Sequence, residues 1–126
     1  MLKMKNQIDV SAVSAYLADQ SSPESGEFAF AYTITITNRG EQTAQLISRH
    51  WIITDGNQEV QEVKGEGVVG EQPILPPGAS FEYTSGTLMQ TPTGTMSGSY
   101  QMIAEDGTAF DADIPTFSLR AVKTLH

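Results

Sequence analysis

Residues 28–36 read Phe-Ala-Phe-Ala-Tyr-Thr-Ile-Thr-Ile, so large apolar side chains alternate with alanine and threonine. A period of two places successive side chains on opposite faces of an extended chain. Aromatic and β-branched residues are also the ones that β-strands favour. The stretch therefore predicts a half-buried strand, and Asn38-Arg39-Gly40 predicts a turn at its end.

The same alternation continues along the chain. It predicts further strands over residues 46–54, 58–63, 79–85, 96–104 and 109–114, with 46–54 and 58–63 forming a hairpin. Segment 6–18 is a less regular strand, which we expect to be bulged because Val13 and Tyr16 leave the phase. A short helical turn over 11–18 is the alternative.

The fold class follows from this element count. Seven to eight short antiparallel strands without a convincing amphipathic helix predict an all-β protein, either a sandwich or a small barrel. The lone Trp51 in a central strand favours an immunoglobulin-like β-sandwich. A chain of 126 residues is long enough for one core, so we expect a single domain over 1–126.

The final hairpin has a predictable register, because a slip of one residue turns a whole strand over. The apolar faces of its two strands coincide in a register that pairs Ala104 with Phe110, Met102 with Ala112 and Tyr100 with Ile114. That register predicts an odd number of loop residues, with Gly107 or a neighbour at positive φ.

The chain is strongly acidic. Fifteen Asp and Glu residues face seven Lys and Arg residues, for a formal net charge of −8. Such a surface repels phosphate backbones, and the bases are scattered, so nucleic-acid binding is disfavoured. Weak association with divalent cations is the most that this charge predicts.

Cysteine is absent, which excludes disulfides, iron–sulfur clusters and thiol nucleophiles. The N-terminal MLKMKNQIDV lacks the apolar run of a signal peptide. No stretch approaches the roughly 18 consecutive apolar residues of a membrane span. We therefore expect a cytoplasmic protein that does not insert into a membrane.

Five segments in order form a pattern over most of the chain: QLISRHWIITDG (45–56), GEGVVGEQP (65–73), LPPG (75–78), FEYTSG (81–86) and TPTGTMSGSY (91–100). Together they resemble the ApaG family, whose bacterial members are also called CorD. The resemblance implies a fibronectin-III-like sandwich and brings no catalytic activity. It also implies an association with cobalt tolerance and magnesium efflux, and a role in protein–protein binding.

The spacing Gly65-x-Gly67-x-x-Gly70 matches a dinucleotide-binding fingerprint, but its sequence context does not. That fingerprint needs a helix directly after the glycines, and Gln72-Pro73 prevents one. The favoured interpretation is a glycine-rich loop or bulge between the sheets. Backbone N–H groups that bind an anion without a helix are the alternative, although Glu66 and Glu71 argue against a phosphate.

Arg49-His50-Trp51 is the most chemically suggestive triplet. Alternation predicts Ile47, Arg49 and Trp51 on one face, and Leu46, Ser48 and His50 on the other. We expect Arg49 at the sandwich rim, with its aliphatic stem packed and its guanidinium paired. The alternative is a recognition patch in which Arg49 or His50 contacts a partner.

Neither a metal site nor an active site is predicted. The two histidines, His50 and His126, are far apart, and Asp111 and Asp113 are predicted on the outward face of their strand. No Gly-x-Ser-x-Gly motif occurs, and a serine nucleophile would need His50 beside it. We therefore expect no resident metal or other cofactor.

Three functions are ranked from these observations. The first is a non-enzymatic interaction module with an unidentified protein partner, acting on a divalent-cation transport system. The second is a small-ligand or anion-binding protein that uses Gly65, Gly67 and Gly70, and the third is an enzyme of unrecognised chemistry. Loop 64–78 is the expected partner surface, with Val68, Val69 and Ile74 either as exposed anchors or as filling of the sandwich edge. Open sheet edges also allow a homodimer.

Overall fold

The computed structural model describes residues 6–121. Its strands are β1 (Ile8–Tyr16), β2 (Phe28–Asn38), β3 (Ala44–Asp55), β4 (Val60–Glu66), β5 (Ile74–Leu75), β6 (Ser80–Met89), β7 (Thr93–Ala104) and β8 (Ala109–Arg120). Two short 3-10 turns, Ala18–Gln20 and Pro23–Ser25, connect β1 to β2. Within residues 6–121 there is no α-helix, so the predicted all-β class is confirmed.

The strands form two antiparallel sheets. One sheet has the order β1-β2-β6, and the other has the order β4-β3-β7-β8 with β5 paired to the start of β3. The inward faces of both sheets supply one hydrophobic core. The predicted β-sandwich is thus confirmed, and its strand count is eight among the described residues.

Strand β2 lies at the centre of the smaller sheet. Its large side chains, including Phe30, Ile34 and Ile36, are buried, while its threonines face outward. Thr33 and Thr84 share a hydrogen bond of 2.8 Å across the outward face. The strict alternation that predicted this strand therefore holds from Phe30 to its end, while Ala29 is buried as well.

Asn38 ends β2 and is 1 % exposed. Its side-chain amide donates to the carbonyl oxygens of Gln42 and Leu75, each at 2.8 Å, and its side-chain oxygen accepts from the N–H of Gly40 at 2.9 Å. One buried side chain therefore connects the β2–β3 turn to β5. Burial of a polar amide is favourable only because each of these bonds is made.

Strand β1 is regular, so the prediction of an irregular segment was wrong. It pairs with β2 in unbroken register from Ile8 to Tyr16, without the predicted bulge. Tyr16 keeps the inward phase of Ile8, Val10 and Ala12, whereas Val13 faces outward at 72 % exposed. The apparent break in phase thus came from this outward valine and from Ser14 at the next inward position.

The final hairpin confirms the predicted odd loop but not the predicted pairs. Gly107 has φ 88° in that loop. The observed pairs are Met102 with Phe110, Tyr100 with Ala112 and Gly98 with Ile114. The predicted register was wrong by two residues, a displacement that keeps both apolar faces inward and is therefore not excluded by patterning alone.

Candidate functional site

A β-bulge in β3 sets the direction of the Arg49-His50-Trp51 triplet. Leu46 pairs with Met102 and Ser48 pairs with Gln101, so Ile47 is an extra residue without a partner. The extra residue reverses the alternation. Leu46 is consequently buried on the same inward side as Trp51, and the prediction that placed it on the opposite face was wrong.

Arg49 extends along the inward side of β3, at the rim beside β4. One guanidinium nitrogen, Nη1, donates to the carbonyl oxygens of Glu66 at 2.9 Å and Gly67 at 2.8 Å. Gly65 lies directly opposite Arg49 in the β3–β4 ladder. A Cβ atom at position 65 would lie 2.8 Å from the Arg49 Cζ atom, so the missing side chain makes room for the guanidinium.

The glycine-rich segment forms a tight turn rather than a ligand cradle. The N–H of Val68 donates to the Glu71 carbonyl at 2.8 Å, and that of Glu71 returns to the Val68 carbonyl at 2.9 Å. Val69 and Gly70 between them have φ 42° and 81°, the positive values of a type I′ turn. Gly67 also requires glycine, because a Cβ there would overlap the Glu71 carbonyl oxygen.

The N–H of Gly67 donates to the carbonyl oxygen of Ile47 at 2.8 Å. The Gln72 side chain donates to the same oxygen at 2.9 Å. The glycine turn is therefore fastened to the β3 bulge from one side and to Arg49 from the other. An anion nest needs free N–H groups, and those of Gly67, Val68 and Glu71 are already hydrogen-bonded within the protein.

Trp51 is a core residue, 3 % exposed, with edge-on ring contacts to Tyr32, Tyr100 and Phe117. His50 faces outward, where its Nε2 lies 2.7 Å from a carboxylate oxygen of Glu62. Ser99 is opposite His50 in the ladder, but the Ser99 hydroxyl accepts from Gln101 at 3.0 Å. The structure thus brings a serine, a histidine and a carboxylate to one exposed sheet face without a hydrogen bond from His50 to Ser99.

A buried tyrosine pair lies close to Arg49. The hydroxyl groups of Tyr83 and Tyr100 are 2.5 Å apart between the two sheets. Burial raises the pKa of Tyr83 to about 12, although the bond to Tyr100 and the nearby charge of Arg49 lower it. Burial also raises the pKa of Tyr100, and Tyr83 raises it further. Both hydroxyls are therefore protonated at neutral pH, which suits a structural role.

The outward face of the larger sheet carries an uncharged row at one end. Gln45 pairs with Ile74 on one side and with Ile103 on the other, and Ile103 pairs with Ala109. Ile74 is 63 % exposed and Ile103 is 43 % exposed. The bulged Ile47 lines an open depression of about 500 Å³ together with Ile103 and Ala109. We call Ile47, Ile74, Ile103 and Ala109 the isoleucine surface.

Sequence reasoning found this surface only in part. Of the three anchors expected in loop 64–78, Ile74 and Val69 are exposed, whereas Val68 is 1 % exposed and fills the core. Ile103 was missed, although it follows Met102 as a second apolar residue out of phase with the buried face. Ile47 was missed as a surface residue because the bulge is not visible in the alternation.

The predicted carboxylates of β8, Asp111 and Asp113, are exposed on the outward side of that strand. Among residues 6–121, no three His, Asp or Glu side chains converge as they would around a metal ion. In the same range, no helix is long and apolar enough to cross a bilayer.

Comparisons with known proteins agree with one another. The ApaG domain model matches residues 18–104. The chain is 62 % identical to Protein ApaG of Thiobacillus denitrificans over 122 residues, which cover 97 % of this chain and 96 % of that protein. It is 59 % identical to Protein ApaG of Dechloromonas aromatica over 122 residues, which again cover 97 % of this chain and 96 % of that protein.

A crystal structure of the ApaA protein from Bordetella pertussis superposes with a TM-score of 0.93 at 49 % identity, covering 98 % of this chain and 100 % of that chain. Sequence and fold therefore lead to the same assignment as the ordered pattern of segments. The chain belongs to the ApaG domain family.

Proposed function

We propose that this protein is a non-enzymatic interaction module whose contact surface is the isoleucine surface. The observation that supports this most is the cross-strand row Ile74–Gln45–Ile103–Ala109, which places two exposed isoleucines on one sheet face. Single exposed apolar residues need no explanation, whereas a group of them on one face is typical of an interaction site. Ile47, Ile103 and Ala109 share one depression, and Gln45 separates them from Ile74. Rigid sheet residues also bind with little loss of conformational entropy.

Arg49 and the three glycines act in this proposal as a scaffold. Arg49 holds the end of β4 through the Glu66 and Gly67 carbonyls, and Gly67 in turn holds the Ile47 carbonyl. Ile47 is thereby fixed in the bulge that presents its side chain outward. Gly65, Gly67, Gly70 and Arg49 thus contribute to binding by positioning the surface rather than by contacting the partner.

A non-enzymatic role is supported by the surroundings of His50. Its carboxylate partner, Glu62, is 60 % exposed, so the pair lies in water on an open sheet face. Catalytic groups depend on a desolvated site in which hydrogen bonds and charges act strongly. An anion-binding role at the glycine turn has less support, because the N–H groups of Gly67, Val68 and Glu71 are internally bonded.

The setting that we propose follows the family resemblance. A protein partner in a cytoplasmic divalent-cation transport system would account for an association with cobalt tolerance and magnesium efflux. The acidic surface would associate with such cations only weakly and without a dedicated site. A homodimer through an open sheet edge remains a second proposal for assembly.

Affinity capture from bacterial lysate tests the surface. The baits are the wild type, Ile74→Ser/Ile103→Ser and the matched control Val13→Ser, which replaces an exposed valine on the other sheet, each with and without Mg²⁺. We expect a specific protein with the wild type and the control, and at least a tenfold loss with the double variant. Equal capture by all three baits would contradict the proposed surface.

The Arg49→Ala variant tests the scaffold separately from the contact surface. We expect reduced capture in proportion to the loosening of the Ile47 bulge, and unchanged capture with His50→Ala. If His50→Ala abolishes capture while Ile74→Ser/Ile103→Ser does not, the contact surface lies at the His50–Glu62 pair instead.

A further inference from the structure

The isoleucine surface is uncharged, but its surroundings are acidic. In the next row of the same sheet face, Glu66, Ser48, Gln101 and Asp111 follow one another across β4, β3, β7 and β8. Glu66 and Asp111 therefore lie at the two ends of the row beside the surface. Both carboxylates are exposed, and Asp111 lines the depression that Ile103 forms.

Two further carboxylates border the surface on its other sides. Glu105 follows Ala104 at the end of β7, and its side chain accepts from the Thr43 N–H at 2.7 Å. That bond keeps the Glu105 charge beside the start of β3. Glu71 precedes Gln72, whose carbonyl accepts from the Gln45 side chain at 3.1 Å. Four acids thus lie in the strands and turns next to one apolar row.

Positive charge lies elsewhere in the part of the chain that the structure describes. Arg39 is paired with Asp9 on the other sheet, and Arg120 lies opposite Thr93 at the far end of β7. Arg49 is turned inward against Gly65. Lys64 is opposite His50, one row beyond Glu66. Within residues 6–121, the nearest cation is therefore Lys64, which lies beside Glu66 but two rows away from the isoleucine surface.

We infer that the isoleucine surface takes a peptide segment in which apolar residues are flanked by Lys or Arg. This inference rests on the proposed function and specifies the chemistry of its partner. Apolar side chains of the segment would cover Ile74 and Ile103, and its cations would face Glu66, Glu71, Glu105 and Asp111 at the rim. An apolar centre within a charged rim is the usual anatomy of a specific interface, and complementary charge sets encounter rate and partner choice.

A second copy of the chain fits this surface poorly. An isologous contact would place the same four acids of each copy against one another, and like charges at an interface oppose association. An anionic membrane surface is disfavoured for the same reason. The charge pattern therefore selects a cationic partner segment.

Selection from a random dodecapeptide display library tests the inference without a known partner. Wild type is the target, and Ile74→Ser/Ile103→Ser is used for counterselection, so that retained peptides depend on the surface. We expect retained peptides to combine apolar residues with flanking Lys or Arg. We also expect the affinity of a selected peptide to fall about threefold to tenfold in Glu66→Gln/Asp111→Asn and to fall with added salt.

The outcomes separate the two proposals. Surface-dependent peptides that lack cations, or that bind the charge-neutralised variant equally well, overturn the inference while the interaction surface stands. Failure to retain any peptide that distinguishes wild type from the isoleucine variant overturns the surface itself. Thermal unfolding of each variant verifies that the comparison is made between folded proteins.

Discussion

The Arg49 guanidinium lies against the backbone of Gly65, with two carbonyl acceptors just beyond it at Glu66 and Gly67. The arrangement depends on the absence of a side chain at position 65. It explains why an arginine occupies the inward side of β3 without a carboxylate partner among residues 6–121. It also joins the glycine turn to the bulge that presents Ile47.

Gly65→Ala should displace the Arg49 guanidinium and destabilise the protein by about 1–2 kcal/mol, mainly through lost hydrogen bonds. In the Arg49→Ala background the same change should cost much less, because nothing remains to be displaced. Denaturant unfolding of the double-mutant cycle measures this coupling. Gly86→Ala is the control, since a Cβ there meets only ordinary contact with the Phe30 carbonyl at 3.4 Å. Additive effects of the two substitutions would contradict the described contact.

Gly98→Ala should be far more damaging. Gly98 pairs with Trp51, next to the register shift between β7 and β8. A Cβ there would overlap the backbone carbonyl oxygen of His50, and backbone cannot move aside as a side chain can. We expect a loss of at least about 3 kcal/mol, or failure to fold. Soluble yield and thermal unfolding check this. Stability like that of the wild type would show that Gly98 does not lie against the His50 carbonyl oxygen.

Asn38→Ala should destabilise the protein by about 2–4 kcal/mol. The substitution leaves the Leu75 carbonyl and the Gly40 N–H without their side-chain partners in a buried site. Chemical denaturation gives the free energy of unfolding. Thr37→Ala, which removes an exposed cross-strand hydroxyl pair with Ser80, should cost under about 1 kcal/mol. Similar costs at both positions would refute the assigned role of Asn38.

The free energy of unfolding should fall at alkaline pH because of the buried pair Tyr83 and Tyr100. The folded pKa of Tyr83 is about 12, above the unfolded value of 10.0, so the folded state holds its proton more tightly. This contribution to stability is complete below pH 10, declines as the pH rises above it, and is lost through about pH 12. The raised pKa of Tyr100 acts in the same direction.

Unfolding free energies measured from neutral to alkaline pH test this. The loss of unfolding free energy above pH 10 should be smaller in Tyr100→Phe than in wild type, since the variant lacks one of the two buried hydroxyl groups with a raised pKa. A decline of unchanged size in that variant would show that other groups control alkaline unfolding.

The sequence predicted the fold because most strands obey a strict period of two. In β2, the inward positions from Phe30 to Ile36 are large and apolar, so the buried face of the strand follows from the sequence. Alternation fails where one residue is inserted. The bulge at Ile47 reversed the phase and moved Leu46 from the predicted outer face into the core.

The candidate surface was harder to predict than the fold. Ile103 and Ile74 come from strands far apart in sequence, and only the β3 ladder brings them to either side of Gln45. The glycine segment, by contrast, resembled a ligand site because the sequence does not show that the N–H groups of Gly67, Val68 and Glu71 are hydrogen-bonded within the protein. Arg49 was correctly expected at the rim with a paired guanidinium, but the sequence could not identify the Glu66 and Gly67 carbonyls as its acceptors.

NMR of the protein labelled at its isoleucine methyl groups and at its backbone amides tests the central claim most directly. The spectrum is recorded as the captured partner, or a peptide selected on the surface, is added. We predict that the methyl signals of Ile47, Ile74 and Ile103 shift together, while those of the core residues Ile34 and Ile36 stay in place. Shifts confined to the amides of Gly65, Gly67 and Gly70, with the surface methyls unmoved, would contradict the account and assign binding to the glycine turn.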